Sequence, residues 1–363
     1  MDSPAPAIPP TEPVSTVIVR ATRDEAAGAL RRVAGLPVVE RAVRQLARLP
    51  GVSVVVQTDG TFPLPTTLPA TATIRRIDPG AEVGAGGATV VRGDVVRRQG
   101  EPLDAGARVV DEATRRAAED SLFADLLRGD LGFVARHLNK KISFRITRYL
   151  LCRLPVTPNQ VTIGAAIVGL LGCALIATGG YAAMVTGLVL AQLQSVLDGC
   201  DGELARVHFQ QSAIGEWLDT IVDDLMNLAL VASLGIGLWR AGSAVLTLAG
   251  AGAAFAMFLF YNVVSYRELL RQGVGGELIK IRWKLAKGRN MKTVVSEGTG
   301  GGAVALVLAL GRRDTFVLGW LFLAVVGLPQ IAVLWAVLAS GACFAAALGQ
   351  VLVPDVPGDA VSR

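Results

Sequence analysis

The chain has 363 residues, of which 52% are hydrophobic and only 18% charged. Long apolar runs recur from about Val161 to Val353, each long enough to span a bilayer, which excludes a wholly soluble protein. Residues up to about Asp130 are instead rich in charge, Gly and Pro, and they contain no run of 18 apolar residues. The net charge of +5 must therefore be considered by position, and as a total it gives no indication of nucleic-acid binding.

Residues 1–14 contain five prolines and predict a disordered leader without a signal peptide. Residues 15–128 predict one small cytoplasmic α/β domain, because strand-like and helix-like segments alternate. STVIVR predicts a strand, RDEAAGALRRVAG and LPVVERAVRQLARL predict helices, and GVSVVVQTDG predicts a second strand. Further strand and helix candidates are TATIRRID, ATVVRGDVVRR and ARVVDEATRR.

This order of elements, centred on GLPVVERAVRQLARLPGVSVVV, resembles the sugar-phosphate nucleotidyltransferase fold. In that family the first strand opens into a glycine-rich phosphate loop. The corresponding stretch here, VRATRDEAAGAL, lacks the glycines that close backbone approach to a phosphate needs. We therefore predict a domain that is structural or regulatory. The alternative is a bifunctional enzyme whose front domain makes CDP-inositol from CTP.

Residues 129–155 predict an amphipathic helix on the membrane surface. The sequence GFVARHLNKKISFRITRYLLCRLPV carries apolar residues at helical spacing, several Lys and Arg, and no acidic residue. Such a pattern is typical of a helix lying on anionic lipid headgroups. A helix packed against the soluble domain is the alternative.

Residues 156–353 predict six membrane spans, followed by a short tail over 354–363. The first four are expected at 159–178, 182–197, 214–239 and 243–266. The fifth begins after the sequence GRRD at 311–314, is broken by GLP at 327–329, and is followed by the sixth. Basic loops fall on one side of this arrangement, so the positive-inside rule places both termini and the loop after the second span in the cytoplasm. The fold class is thus an all-α membrane domain of six helices preceded by a small α/β domain.

Four acidic residues interrupt the apolar region. Asp198 and Asp201 are three apart, and Asp219 and Asp223 are four apart, so each pair shares one helix face. Each charge in mid-bilayer would cost roughly 2.5–3.5 kcal/mol without compensation. Because no cationic partner is evident nearby, we expect bound Mg²⁺ or Mn²⁺, which prefer oxygen ligands.

The pattern Asp198-x2-Asp201-Gly202-x2-Ala205-Arg206-x8-Gly215-x3-Asp219-x3-Asp223 matches the signature of the CDP-alcohol phosphotransferases. The sequence PNQVT at 158–162 resembles the start of that family's first span. The nucleotidyltransferase-like front domain followed by GFVARHLNKKISFRITR is similar to the branch with archaeal inositol-phosphate lipid and solute synthases. The resemblance implies a domain of six transmembrane helices that contacts membrane lipids. It also implies that two copies of the chain form a homodimer.

The resemblance also implies the reaction and the roles of individual residues. A substituted phosphate would move from a CDP-alcohol, such as CDP-diacylglycerol, to the hydroxyl of an alcohol or alcohol-phosphate acceptor with release of CMP, in phospholipid synthesis. Asp198, Asp201 and Asp219 would hold two divalent ions, and Asp223 would be the general base and a ligand of the second ion. Residues expected to bind the CDP-alcohol are Asn159, Thr162, Gly202, Arg206, Ser212 and Gly215. Candidates for an acceptor phosphate are Arg145, Arg148, Lys284 and Arg312.

Other polar residues receive weaker roles. Asp224 and Glu216 point away from the face of Asp219 and Asp223, so they are expected to support the site or an interface. His208 is expected to be a solvated loop residue, and Arg313 to serve topology and lipid headgroups. A divalent-cation or solute transporter with the same buried carboxylates is the competing class, although no second acidic cluster matches the first. A scaffold that has lost activity is a third possibility.

Overall fold

The structure is a computed structural model that describes residues 15–21, 28–49, 52–58, 75–77, 89–97, 106–127, 132–284, 289–290 and 310–353. The predicted leader and tail lie outside these residues. The chain divides into two compact units. The first comprises Met1–Gly129 together with Arg206–Phe209, and the second comprises Asp130–Ala205 and Gln210–Arg363.

The first unit is an α/β structure. Its strands are β1 (Ser15–Ala21), β2 (Arg32–Val33), β3 (Leu36–Pro37), β4 (Val52–Thr58), β5 (Arg75–Ile77), β6 (Thr89–Arg92), β7 (Val95–Val96) and β8 (Ala107–Arg108). Its helices are α1 (Val38–Leu46) and α2 (Glu112–Leu126). Four parallel strands form one sheet in the order β5-β4-β1-β6. The apolar runs of β1 and β4 pack against α1, which is the burial expected of a parallel sheet.

Residues 32–37 form a tight hairpin, although the sequence predicted a helix over 23–35. β2 pairs antiparallel with β3, and the two turn residues, Ala34 and Gly35, have φ of 47° and 82°. Positive φ at both positions suits a two-residue hairpin turn. The helix prediction was therefore wrong for residues 32–35, while residues 22–27 lie outside the described part.

The second unit is mainly helical. A π-helical turn (Ala135–Asn139) leads into α3 (Lys140–Tyr149), which a 3-10 turn (Leu151–Arg153) follows. The longer helices are α4 (Pro158–Ala177), α5 (Tyr181–Val207), α6 (Ala213–Arg240), α7 (Val245–Gln272), α8 (Arg313–Val325) and α9 (Gln330–Leu352). A 3-10 turn (Leu278–Lys280) and the antiparallel strands β9 (Arg282–Trp283) and β10 (Arg289–Asn290) follow α7.

Among the described residues, five helices are long and apolar enough to cross a membrane: α4, α5, α6, α7 and α9. The fifth predicted span falls on α8, which has 13 residues. At 1.5 Å per residue, α8 rises about 20 Å, short of the roughly 30 Å of a bilayer core. The prediction of six spans is thus not confirmed, whereas a membrane-embedded, multi-pass protein is.

The start of α4 is set by local sequence. Thr157 and Gln160 form a capping box, in which the backbone N–H of Thr157 donates to Gln160 Oε1 at 2.9 Å. Pro158 occupies the first helical turn, where its missing N–H costs nothing. These features hold Asn159 and Thr162 in the first turns of the first membrane-spanning helix.

α4 and α5 approach closely where each carries a glycine. A Cβ added to Gly187 would lie 2.5 Å from the carbonyl oxygen of Gly172, and one added to Gly172 would lie 2.7 Å from that of Gly187. Small residues at such a crossing let helix backbones touch inside a membrane. The crossing sets the position of α5, which carries the first acidic pair.

Candidate active site

Three of the predicted metal ligands converge. Asp198 and Asp201 come from α5 and Asp219 from α6, and one carboxylate oxygen from each lies within 4.8 Å of the other two. Asp201 is 5% exposed, while the other two are half-buried. Carboxylates this close repel one another unless a cation lies between them. The arrangement therefore suits a hard divalent cation with oxygen ligands.

Asp201 is held from two directions. The hydroxyl of Thr162, which is 3% exposed on α4, donates to Asp201 Oδ2. The backbone N–H of Gly202 lies 2.5 Å from Asp201 Oδ1. Partners of this kind fix the orientation of a metal ligand. Thr162 and Gly202 were expected to bind the CDP-alcohol, and the structure places both on Asp201.

Three other residues expected to bind CDP lie together at the start of α6. Ser212 caps this helix, and its Oγ accepts from the backbone N–H of Gly215 at 3.0 Å. A Cβ at Gly215 would lie 3.1 Å from Asn159 Oδ1, so the amide of Asn159 reaches the same place from α4.

Asp223 is paired with a cation. Arg313, the first residue of α8, donates through Nη1 to Asp223 Oδ1, and its Nη2 lies 4.0 Å from Asp198 Oδ1. The Arg313 side chain is 13% exposed. The expectation that the carboxylates lack a nearby cationic partner was therefore wrong for Asp198. Sequence reasoning missed Arg313 as a site residue, because its only signal was a pair of arginines before an apolar helix.

Arg206 belongs to the first unit. It is exposed, and it lines a cavity of about 380 Å³ in that unit together with Arg41 and Arg97. Its predicted contact with a donor phosphate stays a prediction.

The four candidates for an acceptor phosphate have different surroundings. Arg145 is exposed on α3, and Arg148 lies over the ring of Tyr149 at 5.5 Å. Lys284 Nζ donates to the carbonyl of Val353 at 2.8 Å, and Arg312 Nε lies 3.5 Å from Asp314 Oδ1. These contacts do not bring the four residues to one point.

The residues that follow α5 are buried in the first unit. His208 is 7% exposed, and its Nε2 lies 2.8 Å from the carbonyl oxygen of Ala34, so the expectation of a solvated residue was wrong. Burial, with Arg41 and Arg44 nearby, lowers the pKa of His208 to about 4. Three arginines within or just after α1 hold residues 207–209 by donating to their backbone carbonyls. These bonds are Arg41 to Val207 at 2.5 Å, Arg44 to His208 at 3.1 Å and Arg48 to Phe209 at 2.6 Å.

Asp224 and Glu216 lie outside the convergent group, as expected. Asp224 is 6% exposed and accepts from the hydroxyl of Tyr266 at 2.6 Å. Glu216 accepts from the backbone N–H of Glu277 at 3.0 Å and pairs with Lys280 at 3.3 Å. Both carboxylates thus connect α6 to α7 or to the segment after it.

The residues fit a divalent metal. Three carboxylates offer the hard oxygen donors that Mg²⁺ and Mn²⁺ prefer. Asp198 Oδ1 is buried, and within the described residues no hydrogen bond reaches it. A buried carboxylate oxygen with spare acceptor capacity is what a metal site requires.

Comparisons with known proteins agree with the motif. The sequence model of the CDP-alcohol phosphatidyltransferase family matches residues 155–342, just over half of the chain. A protein of Aquifex aeolicus named bifunctional IPC transferase and DIPP synthase is 38% identical over 107 residues, which cover 30% of this chain and 24% of the relative. A protein of the same name from Rubrobacter xylanophilus is 33% identical over 196 residues, which cover 54% of this chain and 40% of the relative. The chain therefore matches less than half the length of these relatives. The resemblance predicted from the acidic motif and the predicted enzyme class are confirmed: the chain belongs to the CDP-alcohol phosphatidyltransferase family.

Proposed function

We propose that this chain transfers a substituted phosphate group from a CDP-alcohol to the hydroxyl of an alcohol acceptor and releases CMP. The observation that carries the proposal is the convergence of Asp198, Asp201 and Asp219 within 4.8 Å, inside the part of the chain that matches the family. A CDP-alcohol donor and an alcohol acceptor fit the reaction of that family.

The three aspartates would hold divalent cations. We take these to be Mg²⁺ or Mn²⁺, with two ions per site. When bound, the cations neutralise the pyrophosphate and stabilise the charge that develops during phosphoryl transfer. The protein's contribution is orientation. Thr162 and the N–H of Gly202 hold Asp201, and Ser212, Gly215 and Asn159 form a polar corner that suits the CDP part of the donor.

Asp223 is the proposed general base. The acceptor oxygen forms a bond to the phosphorus that carries the transferred alcohol, and the bond from that phosphorus to the bridging oxygen of CMP breaks. The hydroxyl proton passes to the Asp223 carboxylate. Arg313 donates to that carboxylate and so holds it in one orientation. A correctly placed base contributes roughly 10²–10⁴-fold to rate.

The substrates are proposed from the resemblance to the inositol-phosphate branch. An inositol or inositol-phosphate compound is the first acceptor to test, and CDP-diacylglycerol, an archaeal-type CDP-lipid and CDP-inositol are the donors. A role in phospholipid synthesis follows from the lipid donors. We further propose a homodimer, with both termini and the metal site on the cytoplasmic side of the membrane.

The decisive experiment is a CMP-release assay on the purified full chain with this panel of donors and acceptors. CMP release should require an acceptor, disappear with EDTA and return with Mg²⁺ or Mn²⁺. Asp198→Asn should abolish it, because one of three metal ligands loses its charge. Full CMP release in chelated, metal-free samples would overturn the metal mechanism.

A second candidate is a bifunctional enzyme, since the curated relatives carry that word in their names. In this alternative the first unit makes a CDP-alcohol from CTP and an alcohol phosphate. The Asp198→Asn chain, with its transferase reaction silenced, isolates that step. We expect no CTP-dependent pyrophosphate release, because VRATRDEAAGAL lacks a phosphate loop. Robust release would establish the bifunctional alternative.

A further inference from the structure

Glu203 is a buried carboxylate that the proposed chemistry does not use. It lies on α5 two residues after Asp201, and its side chain is 0% exposed. Its Oε1 accepts from Lys140 Nζ at 2.7 Å and from Ser143 Oγ at 2.6 Å, and its Oε2 accepts from Thr147 Oγ1 at 2.7 Å. A buried charge is costly unless it is paired and hydrogen-bonded, and here three donors meet it.

All three donors belong to one face of α3. Lys140, Ser143 and Thr147 are spaced by three and four residues, so they follow one another along that helix. Asn139, one residue earlier, extends the same contact. Its Nδ2 donates to Ser195 Oγ at 3.2 Å, and its Oδ1 accepts from Gln192 Nε2 at 2.9 Å. Polar contacts therefore hold α3 to α5 from position 192 to position 203.

The contact with α3 lies behind the metal ligands. At about 100° per residue, Asp201 and Asp198 point roughly 160° and 140° away from Glu203 around α5. The carboxylates thus occupy one side of α5 and the α3 contact the other. On the carboxylate side, Thr162 of α4 holds Asp201. The end of α5 that carries two metal ligands is fixed between α4 and α3.

We propose that Glu203 is a positioning residue, through which α3 fixes the orientation of Asp198 and Asp201 and thereby sets the affinity of the metal site. The proposal rests on the metal site of the proposed function. Glutamine at this position could accept from one of the two hydroxyls through its single carbonyl oxygen, while its NH2 group donates to the other hydroxyl. It would leave the Lys140 ammonium, 15% exposed, without its counter-charge. The helix would then be free to shift or rotate relative to α3.

The test is a Mn²⁺ titration of the full chain, followed by electron paramagnetic resonance without substrate, beside the CMP-release assay. Loss of a residue that orients metal ligands typically costs 10–100-fold in metal affinity or activity. We expect Glu203→Gln to weaken Mn²⁺ binding about tenfold and to lower kcat, with the donor KM at saturating Mn²⁺ nearly unchanged. Lys140→Met should weaken Mn²⁺ binding similarly, and the double variant should be no worse than the worse single variant.

Glu268→Gln is the matched control. Glu268 is also buried, at 5% exposure, and accepts from Arg271 and Gln272 at 3.0 Å, but it lies on α7, which carries none of the motif residues. Its variant should bind Mn²⁺ as the wild type does. Should Glu203→Gln fail to fold, Thr147→Val removes one donor, keeps the ion pair and should shift Mn²⁺ affinity in the same direction.

The outcomes separate the two proposals. If Glu203→Gln leaves the Mn²⁺ affinity unchanged, the positioning role is overturned and only a structural role remains. Where Glu203→Gln does not fold, an unchanged Mn²⁺ affinity in Thr147→Val has the same meaning. If Glu203→Gln changes Mn²⁺ binding but the wild-type chain releases CMP from no CDP-alcohol, only the proposed function is overturned. A wild-type chain that binds no Mn²⁺ overturns both.

Discussion

Arg313 offers the sharpest prediction, because its replacement should have opposite effects on metal binding and on turnover. Its guanidinium lies 4.0 Å from Asp198 Oδ1 and pairs with Asp223. Arg313→Met removes a positive charge that competes with a cation for these carboxylates. The variant should therefore bind Mn²⁺ more tightly than the wild type does.

The magnitude follows from the distance between the two charges. At 4.0 Å and an effective dielectric constant of about 20, the attraction between Arg313 and Asp198 is about 4 kcal/mol. Only part of it opposes metal binding, because Arg313 also pairs with Asp223 and because the Asp198 side chain is 23% exposed to screening solvent. We expect about 1–2 kcal/mol, which corresponds to Mn²⁺ binding that is roughly 5–30-fold tighter.

Turnover should fall in the same variant. Without Arg313, the Asp223 carboxylate loses the guanidinium that donates to it, so part of the roughly 10²–10⁴-fold contribution of a general base is lost. The assays are a Mn²⁺ titration and CMP release at saturating Mn²⁺. Arg313→Lys, which keeps the charge, should bind Mn²⁺ nearly as the wild type does. Arg312→Met removes the same charge from the adjacent, 41% exposed side chain and should leave Mn²⁺ affinity unchanged. Equal or weaker Mn²⁺ binding by Arg313→Met would refute the electrostatic reasoning.

Three further predictions concern the base, the loop and the helix crossing. Asp223→Asn should keep most CDP-alcohol affinity and lose most CMP release, whereas Asp198→Asn should lose both; normal turnover by the first variant would show that the base is elsewhere. Because burial lowers the pKa of His208 to about 4, below its unfolded value of 6.5, the unfolded chain binds more protons between these values. Unfolding free energy should therefore drop by about 2 kcal/mol from pH 7 to pH 5, and His208→Gln should shrink the accompanying fall in melting temperature. Gly187→Val should lower the melting temperature by forcing α5 off α4. Gly252→Ala, whose added Cβ meets no atom of the described residues within 4 Å, should leave it unchanged.

The acidic pairs were predictable because their information is local. Asp198 and Asp201, like Asp219 and Asp223, share a helix face by spacing alone, and neither pair depends on distant residues. Arg313 was not predictable in this way. It is 90 residues from Asp223 in the sequence, so only the packing of α8 beside α6 reveals the pair. An arginine at the end of an apolar helix is also the ordinary signal for topology, and that signal concealed the role of Arg313.

The hairpin at residues 32–37 shows the reverse failure, in which a local signal misled. Leu, Arg and Ala are good helix formers, so RDEAAGALRRVAG predicted a helix. In the structure, the hairpin's carbonyls accept hydrogen bonds from side chains outside the hairpin: Val33 from Arg41, 8 residues away, and Ala34 from His208, 174 residues away. The contact with His208 cannot be seen in a short window of sequence. Tertiary hydrogen bonds here outweigh propensities of a few tenths of a kcal/mol per residue.

Contacts on both sides of α5 hold the part of this helix that carries the first two metal ligands. Thr162 holds Asp201 on one side of α5, and the donors of α3 hold Glu203 on the other. A metal site shared by two helices works only while the helices keep their relative position, and an error of about 1 Å is enough to spoil such a site. α5 contributes two of the three ligands, so a displacement of this helix disturbs the site more than an equal displacement of α6. Residues that touch neither substrate nor metal should therefore affect turnover most where they hold α5.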